Sequence, residues 1–303
     1  MSTIIKVVDH LDVGDHHKAS SHCSTAVTPL ACQSSELESL FMTTLPSVLV
    51  TGASSGIGAI YADRFASRGH DLVLVARDET RLEALAAKLH DQYSVKVDVL
   101  QADLTQHTDL TKVEARLRDD ANIGILINNA GVAQSGSFLD QTPESIEKLI
   151  TLNTTALTRL ASAVAPRLVQ AGEGAIVNIG SVVGFAPEFG MSVYGASKAF
   201  VLFLSQGLHL ELGAKGVYIQ AVLPAATRTE IWDRAGIDIN TMTDIMEVAD
   251  LVDAALVGYD QRELVTIPPL QDGARWDALQ GARQGLLSEI RQSAVAARYK
   301  AAS

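Results

Sequence analysis

The run Thr51-Gly52-Ala53-Ser54-Ser55-Gly56-Ile57-Gly58 constrains this chain more than any other stretch, because of what stands on either side of it. An apolar segment, Ser47-Val48-Leu49-Val50, leads in, and an amphipathic stretch to about Arg68 leads out. A strand feeding a glycine turn feeding a helix is the context a dinucleotide site needs. Glycines let the backbone approach phosphate, and the helix N-terminus favours negative charge. Gly52, Ser54, Ser55, Gly56, Ile57 and Gly58 are the expected phosphate cradle.

Short Val/Ile/Leu runs go on alternating with amphipathic stretches, which indicates a parallel sheet with helices on both faces. Helices are expected near 56–68, 78–91, 106–119, 143–171, 193–213 and 244–259, and a seventh strand at Leu264-Val265-Thr266-Ile267. The expected fold is α/β, a doubly wound, Rossmann-like parallel sheet in a single catalytic domain over 46–269. With 303 residues at 47% hydrophobic content the chain can bury a large core, and although the length allows two domains, the motifs thread one sheet. In the C-terminal appendage, 270–303, Trp276, Leu279, Leu286, Leu287 and Ile290 suggest an amphipathic helix that packs on the body, a neighbour or the site.

The second strand, Asp71 to Ala76, ends at Arg77. An NAD site places an acid there to hold the ribose 2′-hydroxyl, whereas an arginine can pair with a 2′-phosphate. The position argues for NADP(H) over NAD(H), with Asp78 partly offsetting the charge.

Tyr194 and Lys198, in Y-G-A-S-K, lie one helical turn apart on one face, with Ser181 upstream in I-V-N-I-G-S-V-V-G. A free tyrosine is no base at neutral pH, its pKa being about 10. A neighbouring ammonium favours the phenolate, and lowering the pKa by roughly 2 to 3 units corresponds to about 3 to 4 kcal/mol. Tyr194 would then serve as a general acid/base near physiological pH. Taken alone, the pair has a plainer reading as a surface tyrosine and a solvated lysine.

The glycine turn, Asn128-Asn129-Ala130-Gly131, Asn153 in L-N-T-T-A, Ser181 and Tyr-x-x-x-Lys occur in this order, and the chain resembles the short-chain dehydrogenase/reductase family from residue 46 to about 269. The resemblance implies an oxidoreductase that moves a hydride between nicotinamide and a carbonyl or secondary alcohol. It implies four catalytic residues: Ser181 orients the substrate oxygen, Tyr194 transfers the proton, Lys198 lowers the tyrosine pKa and bonds the nicotinamide ribose, and Asn153 holds a water in the relay. Tyr194 and Lys198 thus also face the cofactor. By the same resemblance Asn129 lines the cofactor, Asp103 in A-D-L-T meets the adenine, Thr229 bonds the carboxamide, and the protein forms a homodimer or homotetramer through the helices of Asn153 and Tyr194. Two departures stand out: Pro224-Ala225 where the family usually has Pro-Gly, which could reshape the loop because alanine disfavours positive φ, and Gly180 where many members carry serine.

Segments 132–137, 182–191 and 229–235 are expected to line the substrate pocket. They offer Phe185, Phe189, Met191 and Trp232 with few charges, which favours an apolar or aromatic carbonyl compound unless Glu188 points inward. Two alternatives remain open: a reductase of ketoacyl groups on an acyl carrier protein, which would want a basic cluster at the pocket mouth, and a non-catalytic NADPH sensor or scaffold, which would usually lack the tyrosine or lysine.

The formal net charge of −11 and the lack of a basic run argue against nucleic acid or an anionic membrane surface. No apolar stretch reaches the ~18 residues that a membrane-spanning helix needs. Residues 1–45 are read as a disordered extension or a misassigned start, with Met42 opening the first strand. They hold Cys23, Cys32, His10, His16, His17 and His22, whose spacing fits no zinc pattern, so no metal is expected. They also lack the arginine of a transit peptide and the apolar run of a secretory signal, and with no cysteine elsewhere the expectation is a cytoplasmic enzyme.

Overall fold

A computed structural model describes residues 45–134, 136–236 and 238–300; the expected extension with its cysteines and four histidines lies outside them. Seven parallel strands form one sheet: β1 (Ser47–Thr51), β2 (Leu72–Ala76), β3 (Val97–Gln101), β4 (Ile123–Asn128), β5 (Ala175–Ile179), β6 (Tyr218–Val222) and β7 (Val265–Thr266). Their order is β3-β2-β1-β4-β5-β6-β7. The chain therefore runs outward from β1 to β3, returns beside β1 as β4, and runs out the other way. Between β1 and β4 the connections leave to opposite sides, which opens a crevice at the carboxyl ends of the strands.

The alternation of the strands sorts side chains to two faces. Val48 and Val50 join Tyr61 and Phe65 of α1 (Gly56–Ser67), Leu82 and Leu89 of α2 (Glu79–Tyr93), and Leu251, Val252 and Leu256 of α8 (Val248–Asp260), which follows the short α7 (Ile231–Arg234). Leu49 faces the other way, with Leu110, Val113 and Leu117 of α3 (His107–Asp119) and Leu160, Val164 and Leu168 of α5 (Leu157–Ala171). The long α6 (Ser192–Leu212) lies on this second face. Each such buried side chain contributes about 1.5–3 kcal/mol.

Three elements depart from the sequence reading. The helix expected over 143–171 is α4 (Pro143–Ile150), a π-helical turn at Thr151–Ala156, and then α5. The helix expected from 244 begins only at Val248. The Met246 N–H donates to Ala226 and the Arg228 N–H to Met246, both at 3.0 Å, so this stretch is drawn into extended pairing beside Thr227. The expected C-terminal helix forms as α9 (Gly273–Ile290), but none of its residues is buried. Trp276 packs on Phe185, with ring centroids 5.8 Å apart, and Gln206 donates to Gln280 at 3.2 Å, while Leu279, Leu286, Leu287 and Ile290 stay exposed.

Candidate active site

A cleft of about 730 Å³ opens at the carboxyl ends of the first four strands. Gly52, Ser54, Ser55, Gly56 and Ile57 line it from the turn after β1, Arg77 from the end of β2, Asp103 from beyond β3, Asn129 from beyond β4, and Thr229 from the loop after β6. Gly52 and Gly56 have left-handed φ of +66° and +56°, and a Cβ on Gly52 would come within 2.9 Å of the Ala130 backbone. The turn is bare backbone followed by the N-terminus of α1, which suits an anion.

Gly58 does not line this cleft. A Cβ there would collide with the Gly52 carbonyl and the Asn129 amide, so Gly58 lets the first turn of α1 lie against the glycine turn. Asn129 has a structural task as well. Its Nδ2 donates to the carbonyls of Thr51 at 2.9 Å and Gly52 at 3.2 Å, and the Thr51 hydroxyl oxygen accepts from the N–H groups of Asn129 and Ala130 at 3.0 Å each. These bonds stitch the ends of β1 and β4 together across the crevice.

Charge at the rim is unevenly spent. Arg81 makes a two-pronged pair with Glu230, both contacts at 2.9 Å, joining opposite walls of the cleft. Arg77 is exposed, and among the described residues no acceptor pairs with its guanidinium. Burial raises the pKa of Asp103, but the N–H and hydroxyl of Thr105, donating at 3.0 and 2.8 Å, outweigh it with the charges of Arg77 and Lys148 and hold the carboxyl below its ordinary value. The Thr229 hydroxyl donates to the Thr227 carbonyl at a long 3.4 Å, and the Thr229 methyl would lie 3.3 Å from a Cβ on Gly56.

The other expected residues gather where Gly131 ends the cleft wall; a Cβ there would come within 3.2 Å of Asn153 Oδ1 and 3.7 Å of Lys198 Nζ. Asn153 sits in the π-helical turn. Its Oδ1 accepts from the Val132 N–H and its Nδ2 donates to the Val132 carbonyl, each at 2.9 Å. Ser181 follows β5 and caps the turn Val182–Gly184, and its hydroxyl donates to the Pro224 carbonyl at 3.2 Å. Ser181 acts on the Tyr194 phenol in the direction that favours the phenolate. Lys198 donates to the Ile179 carbonyl at 2.8 Å. All four side chains are buried.

The expectation that Lys198 depresses the Tyr194 pKa is not met by the packing of these two side chains. The ammonium lies over the ring, 5.7 Å from its centroid. Burial pushes the phenol up to about 12, opposed only by the influence of Ser181, and burial also brings the ammonium down to about 8. In the loop after β6 Ala225 does not take up positive φ, and the Pro224 carbonyl accepts from both the Ser181 hydroxyl and the Val182 N–H.

Several functional positions were not singled out from sequence. Gly184 packs flat on α6: a Cβ would come within 2.7 Å of the Lys198 backbone. Met191, expected from sequence only as a pocket residue, enters α6 with φ +58°, an unusual conformation for a non-glycine residue. Arg81, Glu230 and Ser197 complete the set. Nothing local marks any of them, because each acts through a partner distant in sequence or across a turn.

Residues 46–239 match the family model for short chain dehydrogenases. The chain belongs to the short-chain dehydrogenase family. This short-chain dehydrogenase is similar to one from Sphingobium yanoikuyae solved in complex with NADPH, at 75% identity and a TM-score of 0.84, covering 84% of this chain and 100% of that one. It is also similar to the bulky-bulky ketone specific alcohol dehydrogenase of Comamonas testosteroni, at 63% identity and a TM-score of 0.80, covering 85% and 99% of the two chains. A very-long-chain 3-oxoacyl-CoA reductase of Bos taurus is 36% identical over 197 residues, which is 61% of this chain and 63% of that protein. The match thus spans less than two thirds of that relative. None of the helices among the described residues is long and apolar enough to cross a membrane.

Proposed function

We propose that this dehydrogenase reduces bulky, largely apolar ketones with NADPH and oxidises the matching secondary alcohols with NADP+. The observation that carries the reading is the buried cluster of Ser181, Tyr194, Lys198 and Asn153, adjoining a cleft with a bare glycine turn and an Arg77 whose guanidinium meets no acceptor among the described residues. NADPH bound by the relative from Sphingobium yanoikuyae supports the same cofactor here. A dinucleotide fits these residues: the turn Gly52–Ile57 and the α1 N-terminus would take the pyrophosphate, Arg77 the 2′-phosphate, Asp103 the adenine end, and Thr229 the carboxamide.

When bound, the nicotinamide supplies or accepts the hydride and, oxidised, brings positive charge to the site. Ser181 and Tyr194 hydrogen-bond the carbonyl oxygen. A phenol held near 12 is protonated at neutral pH, so in reduction Tyr194 gives its proton as charge grows on that oxygen. Lys198 keeps an ammonium beside the tyrosine and returns the proton, and the turn at Asn153 aligns a water path to it. In the oxidising direction Tyr194 needs positive charge beyond Lys198 to act as a base.

The segments expected to line the substrate pocket favour large apolar substituents. Phe185 and Phe189 are exposed there, Met191 and Trp232 are half-buried, and Glu188 is exposed. The Comamonas testosteroni relative, specific for bulky-bulky ketones, supports two large groups flanking the carbonyl. Similarity to the 3-oxoacyl-CoA reductase favours a second reading, a long-chain 3-oxoacyl thioester. A homodimer or homotetramer in the cytoplasm goes with the proposal, supported by Ile150 of α4 and Phe200 and Phe203 of α6, which are exposed.

The test is a panel of aryl, dialkyl and small methyl ketones and a 3-oxoacyl-CoA, with NADPH or NADH consumption followed optically and Tyr194→Phe as control. Faster turnover of bulky ketones with NADPH is expected. Turnover confined to the thioester, or undiminished in the control, overturns the proposal.

A further inference from the structure

Ser197 has no part in the roles given above, yet it is 4% exposed and both ends of its hydroxyl are committed. The hydroxyl donates to the backbone carbonyl of Tyr194 at 2.7 Å, and its oxygen accepts from Asn153 Nδ2 at 3.1 Å. The sense of both bonds is fixed, because an amide nitrogen can only donate and a carbonyl can only accept. One serine thus lies between the π-helical turn that carries Asn153 and the turn of α6 that carries Tyr194 and Lys198.

We propose that Ser197 is a positioning residue for proton transfer, setting the rotation of the Asn153 turn against the Tyr194–Lys198 turn. The inference rests on the roles proposed for those three residues. Among the described residues the other hydrogen bonds of the Asn153 side chain go to the Val132 backbone, so Ser197 is its hydrogen-bonded link to α6. In an alanine variant one buried N–H of Asn153 loses its partner, and the asparagine can relieve this only by turning, which moves its strand of the relay.

The same two helices are also tied further along. Asn128 Nδ2 donates to the Leu157 carbonyl of α5 at 3.3 Å and to Asn178 Oδ1 at 3.0 Å. Asn178 Nδ2 donates to Ser205 at 3.0 Å, and Ser205 to the Val201 carbonyl at 2.7 Å. This second tie keeps α5 and α6 docked when Ser197 is changed, so the fold survives while the local alignment is lost.

The experiment compares Ser197→Ala, Ser197→Thr, Asn153→Ala and the Ser197→Ala/Asn153→Ala double variant. It measures kcat and KM for a bulky ketone, the pH profile of kcat, thermal midpoint, and NADPH affinity by fluorescence titration. Ser197→Ala should lower kcat on the order of tenfold with KM and NADPH affinity unchanged, and should move the pH limb of kcat. Ser197→Thr, which keeps the hydroxyl, should restore both. The double variant should be no slower than Asn153→Ala, because one residue acts through the other. Wild-type kcat in Ser197→Ala, an unmoved pH profile, or additive losses in the double variant would overturn the proposal. If threonine does not fold, the cycle with Asn153 decides alone. Activity persisting in Tyr194→Phe would instead sink the underlying functional reading, so the two failures are distinct.

Discussion

The Lys198 ammonium donates to the carbonyl of Ile179 at 2.8 Å, and Ile179 is the last residue of the strand from which Ser181 follows. The helix bearing Tyr194 is thereby held to the strand end bearing the serine, and the lysine gives part of its hydrogen-bonding capacity to geometry rather than to charge alone.

That burial has a measurable cost in stability. With the ammonium brought from 10.5 to about 8, the unfolded chain keeps a proton between those values that the folded chain has released, so stability rises with pH across that window. Below about pH 8 both states are protonated and the penalty is fully present. In urea unfolding at pH 8 and 10.5, wild type should gain up to about 3 kcal/mol relative to Lys198→Met. Parallel pH dependence of the two proteins would contradict the shift.

Tyr194→Phe should cut turnover by about 10²- to 10⁴-fold with unchanged thermal midpoint and NADPH binding. In the cofactor-free protein the phenol, pushed up to about 12, should stay protonated. The wild-type minus variant phenolate absorbance should be flat to about pH 10. A step near neutral pH would mean that Lys198 alone activates the tyrosine.

Replacing Arg77 with alanine removes from the cleft a guanidinium that meets no acceptor among the described residues. NADPH affinity should fall between about ten- and a hundredfold while NADH affinity stays the same, in keeping with loss of a charge-assisted phosphate contact. Equal losses for the two cofactors would place the 2′-phosphate elsewhere.

Gly184→Ala puts a methyl within 2.7 Å of the Lys198 carbonyl carbon and 2.8 Å of the Ala199 nitrogen, backbone atoms that cannot step aside. We expect a loss of about 1–3 kcal/mol in denaturant and a fall in kcat, because the turn capped by Ser181 must lift from α6. Full activity at lowered stability would separate the turn from the serine.

Much of this was legible in the chain because it depends on local pattern. The Val/Ile/Leu runs gave the strands, and Gly52 and Gly56 announced a turn that only glycine forms comfortably. Arg77 was legible from its place at a strand end. The π-helical turn was not, since T-L-N-T-T-A reads as ordinary helix and its extra width is held by contacts to Val132 and Ser197. The pKa of Tyr194 is not legible from spacing, which locates Lys198 one turn away but says nothing of the ammonium lying over the ring, nor of how deeply both are buried. The stripe of α9 is real in sequence, yet only Trp276 found a partner on the body.

The wide turn at Thr151–Ala156 restricts the length of the chain more than its spelling. In regular helix each residue advances about 100°. Deleting one residue there would let the stretch close into ordinary helix and swing all of α4 by about that angle relative to Asn153. An exposed position such as Thr155 can be exchanged freely, whereas a single-residue gap cannot be absorbed. Shortening this protein by one codon at this point would therefore cost more than many substitutions around it.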